Sequence, residues 1–138
     1  MSDHVTLEPV EVADVIILVD NSVDLLLPGD QVAQRAPLHF DWSERDQLIA
    51  EHGYSLLLTV QYGNHTETLL YDAGLGRGTA IHNMDVLGLS LRDLRAVALS
   101  HGHADHHGGL EGLYRRVSRR GMPLVLHPDA WRERLEST

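Results

Sequence analysis

The apolar residues of this chain fall in short runs between turn-forming residues, a pattern that predicts alternating strands and short helices. Val12 to Val19, rich in Val and Ile, reads as a buried strand that delivers Asp20-Asn21-Ser22 into a loop. Leu25-Leu26-Leu27 is a short apolar piece closed by Pro28-Gly29, and residues 30–42 read as a loop. Within that loop, Phe40 and Trp42 pin the chain to the core or form an aromatic rim beside a substrate. Ser43 followed by Asp46 resembles a capping-box start, so a short helix is predicted through Leu48 and Ile49, with Gly53 as its exit. The apolar runs Tyr54–Tyr62 and Thr68–Tyr71, on either side of Gly63-Asn64-His65, predict a β-hairpin.

Asp72 closes the second hairpin strand, and a glycine-rich loop from Ala73 to Gly78 follows. The loop lacks a Lys-Ser/Thr ending, so it is not a phosphate-binding P-loop. Ile81, Met84 and Leu87 predict a short helix over 79–88 that ends at Gly88, with His82 and Asn83 at the surface or behind a ligand. A turn capped by Ser90 and Asp93 leads into the strand Val97-Ala98-Leu99. Leu110, Leu113, Tyr114 and Val117 then recur at helical spacing. Arg115, Arg116, Arg119 and Arg120 gather towards the end of that helix, where cations complement its dipole. Pro123 to Leu126 reads as a further strand, and Asp129 to Leu135 as a final helix.

Composition narrows the function classes. The 138 residues suffice for one domain with a real core, and 43% hydrophobic content argues against disorder. The formal charge of −9 argues against nucleic-acid binding through a basic surface. No apolar run is long enough to span a membrane, and the N-terminus, with Asp3 and Glu8, lacks the cationic start of a signal peptide, so a soluble cytoplasmic protein is expected. The absence of cysteine removes disulfides, a thiolate nucleophile and Cys-type zinc sites, which leaves histidine and carboxylate as the strong ligands.

Those ligands concentrate in one place. Ser100-His101-Gly102-His103-Ala104-Asp105-His106-His107-Gly108-Gly109 sits where a buried strand ends and a helix begins. His101 and His103 are two apart, so extended backbone projects both imidazoles to one side, and Asp105 and His106 aim into the same space as the chain turns. Gly108 and Gly109 are expected to let the backbone pass close to a filled site. Four ligand-type side chains within six residues read as a metal site. Asp72, at a neighbouring strand end, is a candidate for orienting a ligand histidine from behind, with a plain turn aspartate as the alternative. Asn21 faces a ligand or satisfies turn backbone. His52 and His65 are read as solvated, and His127 is left out of the ligand set.

The spacing His101-x-His103-x-Asp105-His106 resembles the signature of the metallo-β-lactamase superfamily. Leu69-Leu70-Tyr71-Asp72-Ala73-Gly74 resembles the D-T-G strand end of that superfamily. Val19-Asp20-Asn21 and Glu51-His52-Gly53-Tyr54-Ser55-Leu56-Leu57 resemble its dihydropterin-aminobenzene-phosphate synthase branch. The resemblance implies an α/β fold, the N-terminal half of an αββα sandwich: one mixed sheet with helices on one face. It implies two metals, with His101 and His103 on the first and Asp105 and His106 on the second. Asp105 would also orient or deprotonate a water nucleophile, and Asp72 would orient a ligand from behind. Zinc is the default for His/carboxylate ligation, with iron or manganese also compatible.

The family pattern places further ligands in a second half: a third histidine, a bridging aspartate and a last histidine. None of these has a counterpart here, so residues 1–138 are expected to form a single partial domain. Its exposed sheet face is expected to take either the missing half or a second copy in a two-fold dimer. Two functions follow. One is a metal-dependent hydrolase, or a synthase or transferase of the same fold, acting on a small ester-like or anionic substrate. The other is a non-catalytic metal-binding module that associates with itself.

Overall fold

The computed structural model describes residues 9–36, 41, 43–118 and 120–132. Five strands form one mixed sheet in the order β1 (Val12–Val19), β2 (Ser55–Tyr62), β3 (His65–Tyr71), β4 (Leu94–Ala98) and β5 (Leu124–Val125). The predicted hairpin is β2–β3, paired antiparallel from Tyr62↔His65 to Leu56↔Tyr71, and Gly63 takes the positive φ of 53° that its turn requires. β1 adds antiparallel to β2, whereas β4 and β5 add in parallel. Parallel neighbours need a crossover. Helix α1 (Thr79–Val86) lies between β3 and β4, and α2 (Ala104–His107) with α3 (Leu110–Val117) lies between β4 and β5.

The register sorts the sheet into two faces. Ile16, Leu57, Leu70, Val97 and Leu124 are paired across all five strands. This row packs with Ala80 and Met84 of α1 and Leu113 of α3 to make the core. The adjacent row, Ile17, Leu56, Tyr71, Ala98 and Val125, points the other way. On that face Ile17 is 55% and Val125 59% exposed, and Val15 is exposed as well. The prediction of a buried strand at Val12–Val19 is therefore corrected. The strand forms, but only Leu18 and Val19 are buried, because β1 is a sheet edge with one face open.

The helix expected between Ser43 and Gly53 does not form; only a turn is present at its start. The backbone there bonds to distant partners instead of to itself. The Asn83 amide receives Ile49 N–H (2.9 Å) and donates to Ile49 O (2.8 Å), and Glu51 N–H donates to Asp20 O (3.2 Å). Asn83 also donates to Leu18 O (2.7 Å) and is 1% exposed. It is thus a buried clamp between α1, β1 and the 47–51 segment, neither at the surface nor beside the ligands. The final helix is likewise corrected over the described residues to a 3₁₀ turn, Pro128–Trp131, after which Arg132 is extended. His127 caps that turn, its Nδ1 accepting from Asp129 N–H (3.2 Å).

Arg115 pairs with Glu111 and Arg116 with Asp85, which accounts for that part of the basic cluster on an exposed helix face. Residues 1–8, the aromatic loop residues Leu38, His39, Phe40 and Trp42, Arg119, and the end of the predicted final helix lie outside the described residues. Among the described residues no helix is long and apolar enough to cross a membrane. Replacing Asn83 with Ala strands a buried carbonyl at Leu18 and part-buried backbone groups at Ile49. Urea unfolding should then show a loss of about 1–3 kcal/mol, against less than about 0.5 kcal/mol for the exposed Arg92→Ala.

Candidate metal centre

Asp72 lies at the end of β3, where the parallel pairing with β4 brings two strand ends side by side. Its φ of 57° is left-handed, a conformation that aspartate tolerates better than most residues. The carboxylate is 1% exposed and fully engaged. Oδ1 accepts Ser100 N–H (2.8 Å), Oδ2 accepts Ser100 Oγ–H (2.7 Å), and Oδ2 lies 2.7 Å from His106 Nδ1.

Hydrogen-bond logic then fixes the rings. A carboxylate only accepts, so His106 carries its proton on Nδ1 and leaves the Nε2 lone pair free. Ser100 has one hydrogen and spends it on Asp72, so its Oγ accepts from His101 Nδ1 (2.8 Å). His101 therefore also presents a lone pair at Nε2, 3.0 Å from His103 Nδ1. Desolvation, and secondly the neighbouring His106 and His103, hold the His101 imidazole below its ordinary pKa, which favours the neutral form that can ligate. Asp105 Oδ2 lies 3.4 Å from His106 Nε2.

Backbone contacts hold this loop from both sides. A Cβ on Gly108 would overlap the Leu75 carbonyl oxygen, one on Gly109 that of Ala73, and one on Gly112 that of Arg77. Gly108 and Gly109 thus make room for the 73–77 loop, not for a bound group as the sequence suggested. Gly102, between the first two histidines, abuts the Ala130 carbonyl in the same way. Ala73 N–H donates to His106 O (2.8 Å) and Tyr54 N–H to Asp105 O (3.2 Å), so these two residues of α2 are anchored through their own carbonyls.

The four motif side chains come together, but they do not close on one point. Among the described residues no three His, Asp or Glu side chains stand where they could hold a single ion. The donors form two pairs instead, His101 with His103 and Asp105 with His106. The reason is local: the Nδ1 atoms of His101 and His106 are committed to Ser100 and Asp72, and His103 closes directly on His101. The pairs still suit a divalent cation chemically. Two ligands on a tetrahedral ion at about 2.0–2.2 Å lie about 3.3–3.6 Å apart; the Asp105–His106 pair, at 3.4 Å, has that spacing, whereas His101 and His103, at 3.0 Å, are hydrogen-bonded to each other.

One contributor escapes the sequence reading: Ser100 stands next to the motif, but its bridging role depends on Asp72, which is 28 residues away. His52, read as solvated, is exposed, with its Nε2 3.5 Å from Asp105 Oδ2. Asn21 serves the backbone, accepting Gly53 N–H (3.2 Å). His65 stacks on Tyr62 in the hairpin.

The mixed sheet with helices on one face carries the histidine–aspartate loop at its strand ends, an α/β arrangement. The metallo-β-lactamase superfamily profile matches residues 48–136, and the chain belongs to that superfamily, whose members typically bind divalent metals. The chain is similar to 7,8-dihydropterin-6-methyl-4-(β-D-ribofuranosyl)-aminobenzene-5′-phosphate synthase of Methanocaldococcus jannaschii, 27% identical over 114 residues. That alignment covers 83% of this chain and 35% of the synthase, so the chain spans about a third of that relative's length. Among solved structures, a motif mutant of a metallo-β-lactamase from Cronobacter sakazakii is 36% identical over 49% of this chain and 26% of that one, with a TM-score of 0.38. The metallo-β-lactamase MIM-1 from Novosphingobium pentaromativorans is 27% identical over 47% and 23% of the two chains, with a TM-score of 0.37.

Asp72→Ala would leave Ser100 N–H and His106 Nδ1–H without their buried acceptor. Denaturant unfolding of the metal-free protein should show a loss of about 2–4 kcal/mol, and Ser100→Ala a smaller loss of about 1 kcal/mol.

Proposed function

We propose that this chain supplies the motif loop of a metal-dependent hydrolase, with His101 and His103 on one divalent cation and Asp105 and His106 on a second. The observation that carries the reading is the hydrogen-bonded chain from Asp72, directly to His106 and through Ser100 to His101, which leaves the His106 Nε2 lone pair free and turns that of His101 towards His103. Zinc suits the donor set best, and iron or manganese is also compatible. Bound cations would supply Lewis acidity towards a water nucleophile and towards the carbonyl or phosphoryl oxygen of a small ester-like or anionic substrate. Asp72 fixes the tautomer and angle of His106, and Ser100 does the same for His101. Asp105, partly buried, stands beside His106 to orient or deprotonate the water. Each pair alone is short of the three protein ligands usual for a catalytic zinc, so further donors complete each site.

A second reading, a synthase or transferase of the same fold, is favoured by the 27% identity to the archaeal synthase across 83% of this chain. A third, a metal-binding module that self-associates, is favoured by the open apolar row at Val15, Ile17, Tyr71 and Val125. Two copies related by a two-fold axis would cover each other there.

Metal analysis of protein prepared with added zinc should recover bound metal. Joint replacement of His101 and His103 by Ala should remove one part of it, and joint replacement of Asp105 and His106 the other. Recovery of none from the wild type overturns the reading. Turnover of ester, lactone, lactam or phosphodiester substrates that chelation abolishes favours the hydrolase, whereas metal uptake without turnover favours the module. Sedimentation velocity at micromolar concentration should show a dimer if the open face pairs, and a lone monomer removes that possibility.

A further inference from the structure

We propose that Trp131 is the platform on which this site receives a flat aromatic ring carried by its substrate, an inference that rests on the metal-dependent hydrolase reading above. β3, β4 and β5 run parallel, and Leu99 N–H donates to Val125 O (2.9 Å), so the chain leaves β5 on the edge that carries Asp72 and the histidine loop. Ligands of open α/β sheets bind outside that C-terminal edge. The turn Pro128–Trp131 is seated there against the motif itself. A Cβ on Gly102, between His101 and His103, would come within 2.8 Å of Ala130 Cα and overlap the Ala130 carbonyl oxygen. Consecutive Cα atoms are about 3.8 Å apart, which puts Trp131 Cα within about 8 Å of Gly102 Cα.

The turn is braced, yet its indole is uncovered. Asp129 N–H donates to His127 Nδ1 (3.2 Å), Ala130 N–H to His127 O (2.9 Å), and Arg132 pairs with Asp129 (2.9 Å). Trp131 is nonetheless 72% exposed. A tryptophan on such a turn offers a large apolar face at small conformational cost, with only two side-chain torsions to fix. A flat ring stacks on that face, whereas an alkyl group gains burial alone. Leu75, 44% exposed, stands beside the other end of the motif, its carbonyl seated against Gly108. The polar loop thus has an exposed apolar side chain near each end, the mixture found in small-molecule sites.

The test uses three hydroxamic acids that share one metal-binding head. Benzohydroxamic acid carries a flat ring, cyclohexanecarbohydroxamic acid a puckered ring of the same size, and acetohydroxamic acid no ring. Each is titrated into the zinc-loaded chain by calorimetry and tryptophan emission, with zinc content measured alongside. On the wild type the flat ring should bind about fivefold to tenfold more tightly than the puckered one and quench the emission that Trp131→Phe removes. Trp131→Ala should abolish that preference and leave the affinity for acetohydroxamic acid unchanged, while Trp131→Phe retains part of the preference. Val32→Ala, at a loop position 95% exposed, should match the wild type. If the preference is absent from the wild type, or survives in Trp131→Ala, the assignment of Trp131 falls, while zinc held by the wild type leaves the metal reading standing. If the wild type holds no zinc, both fall together.

Discussion

A buried carboxylate with nowhere to send its charge would be ruinous in a sheet this small, and Asp72 is the point at which the motif loop and the sheet become one unit. At 1% exposure its cost is offset only because Ser100 offers two donors and His106 a third. Those partners lie beyond the next strand in sequence. They reach Asp72 because β3 and β4 run parallel and side by side, so their C-terminal ends open on the same edge. The ring orientations of the motif thus follow from sheet topology as much as from the motif itself.

Around that hub the support is mostly backbone. Gly108, Gly109 and Gly112 sit against carbonyls of Ala73, Leu75 and Arg77, and Gly102 against that of Ala130, so a side chain at any of the four would push the loop off its seat. The α2 carbonyls of Asp105 and His106 accept from Tyr54 and Ala73. What remains adjustable is the outward tips: the unclaimed ring nitrogens, the Asp105 carboxylate and the exposed His52.

Much of this was readable in the chain beforehand. The β2–β3 hairpin, α1 with its stop at Gly88, and α3 each follow from local periodicity and a well-placed glycine. The motif residues and Asp72 stand out by residue type, spacing and the family resemblance together. The misreadings share a cause, which is that a distant partner overrode a local signal. Ser43 and Asp46 look like a helix start, yet Asn83, 34 residues from Ile49, captures that backbone in extended form. Val12–Val19 has a core strand's composition, but composition does not tell an edge from a centre. Ser100 acquires its bridging role only through Asp72, a contact that no window of sequence contains. That the motif side chains pair off instead of meeting is likewise set by where each Nδ1 hydrogen goes.

The loop after Asp72 has one more consequence. The Leu75 and Gly76 amides and the Thr79 hydroxyl converge on the Glu51 carboxylate, at 2.9 Å, 3.0 Å and 2.7 Å for the shortest contact of each. Converging amides of this kind form a cradle for anions. Here the cradle's guest is built into the chain, so a phosphate group approaching the glycine-rich turn would find a resident negative charge already seated. Glu51 thus ties the 47–51 segment to the start of α1 through the very donors that an external anion would need.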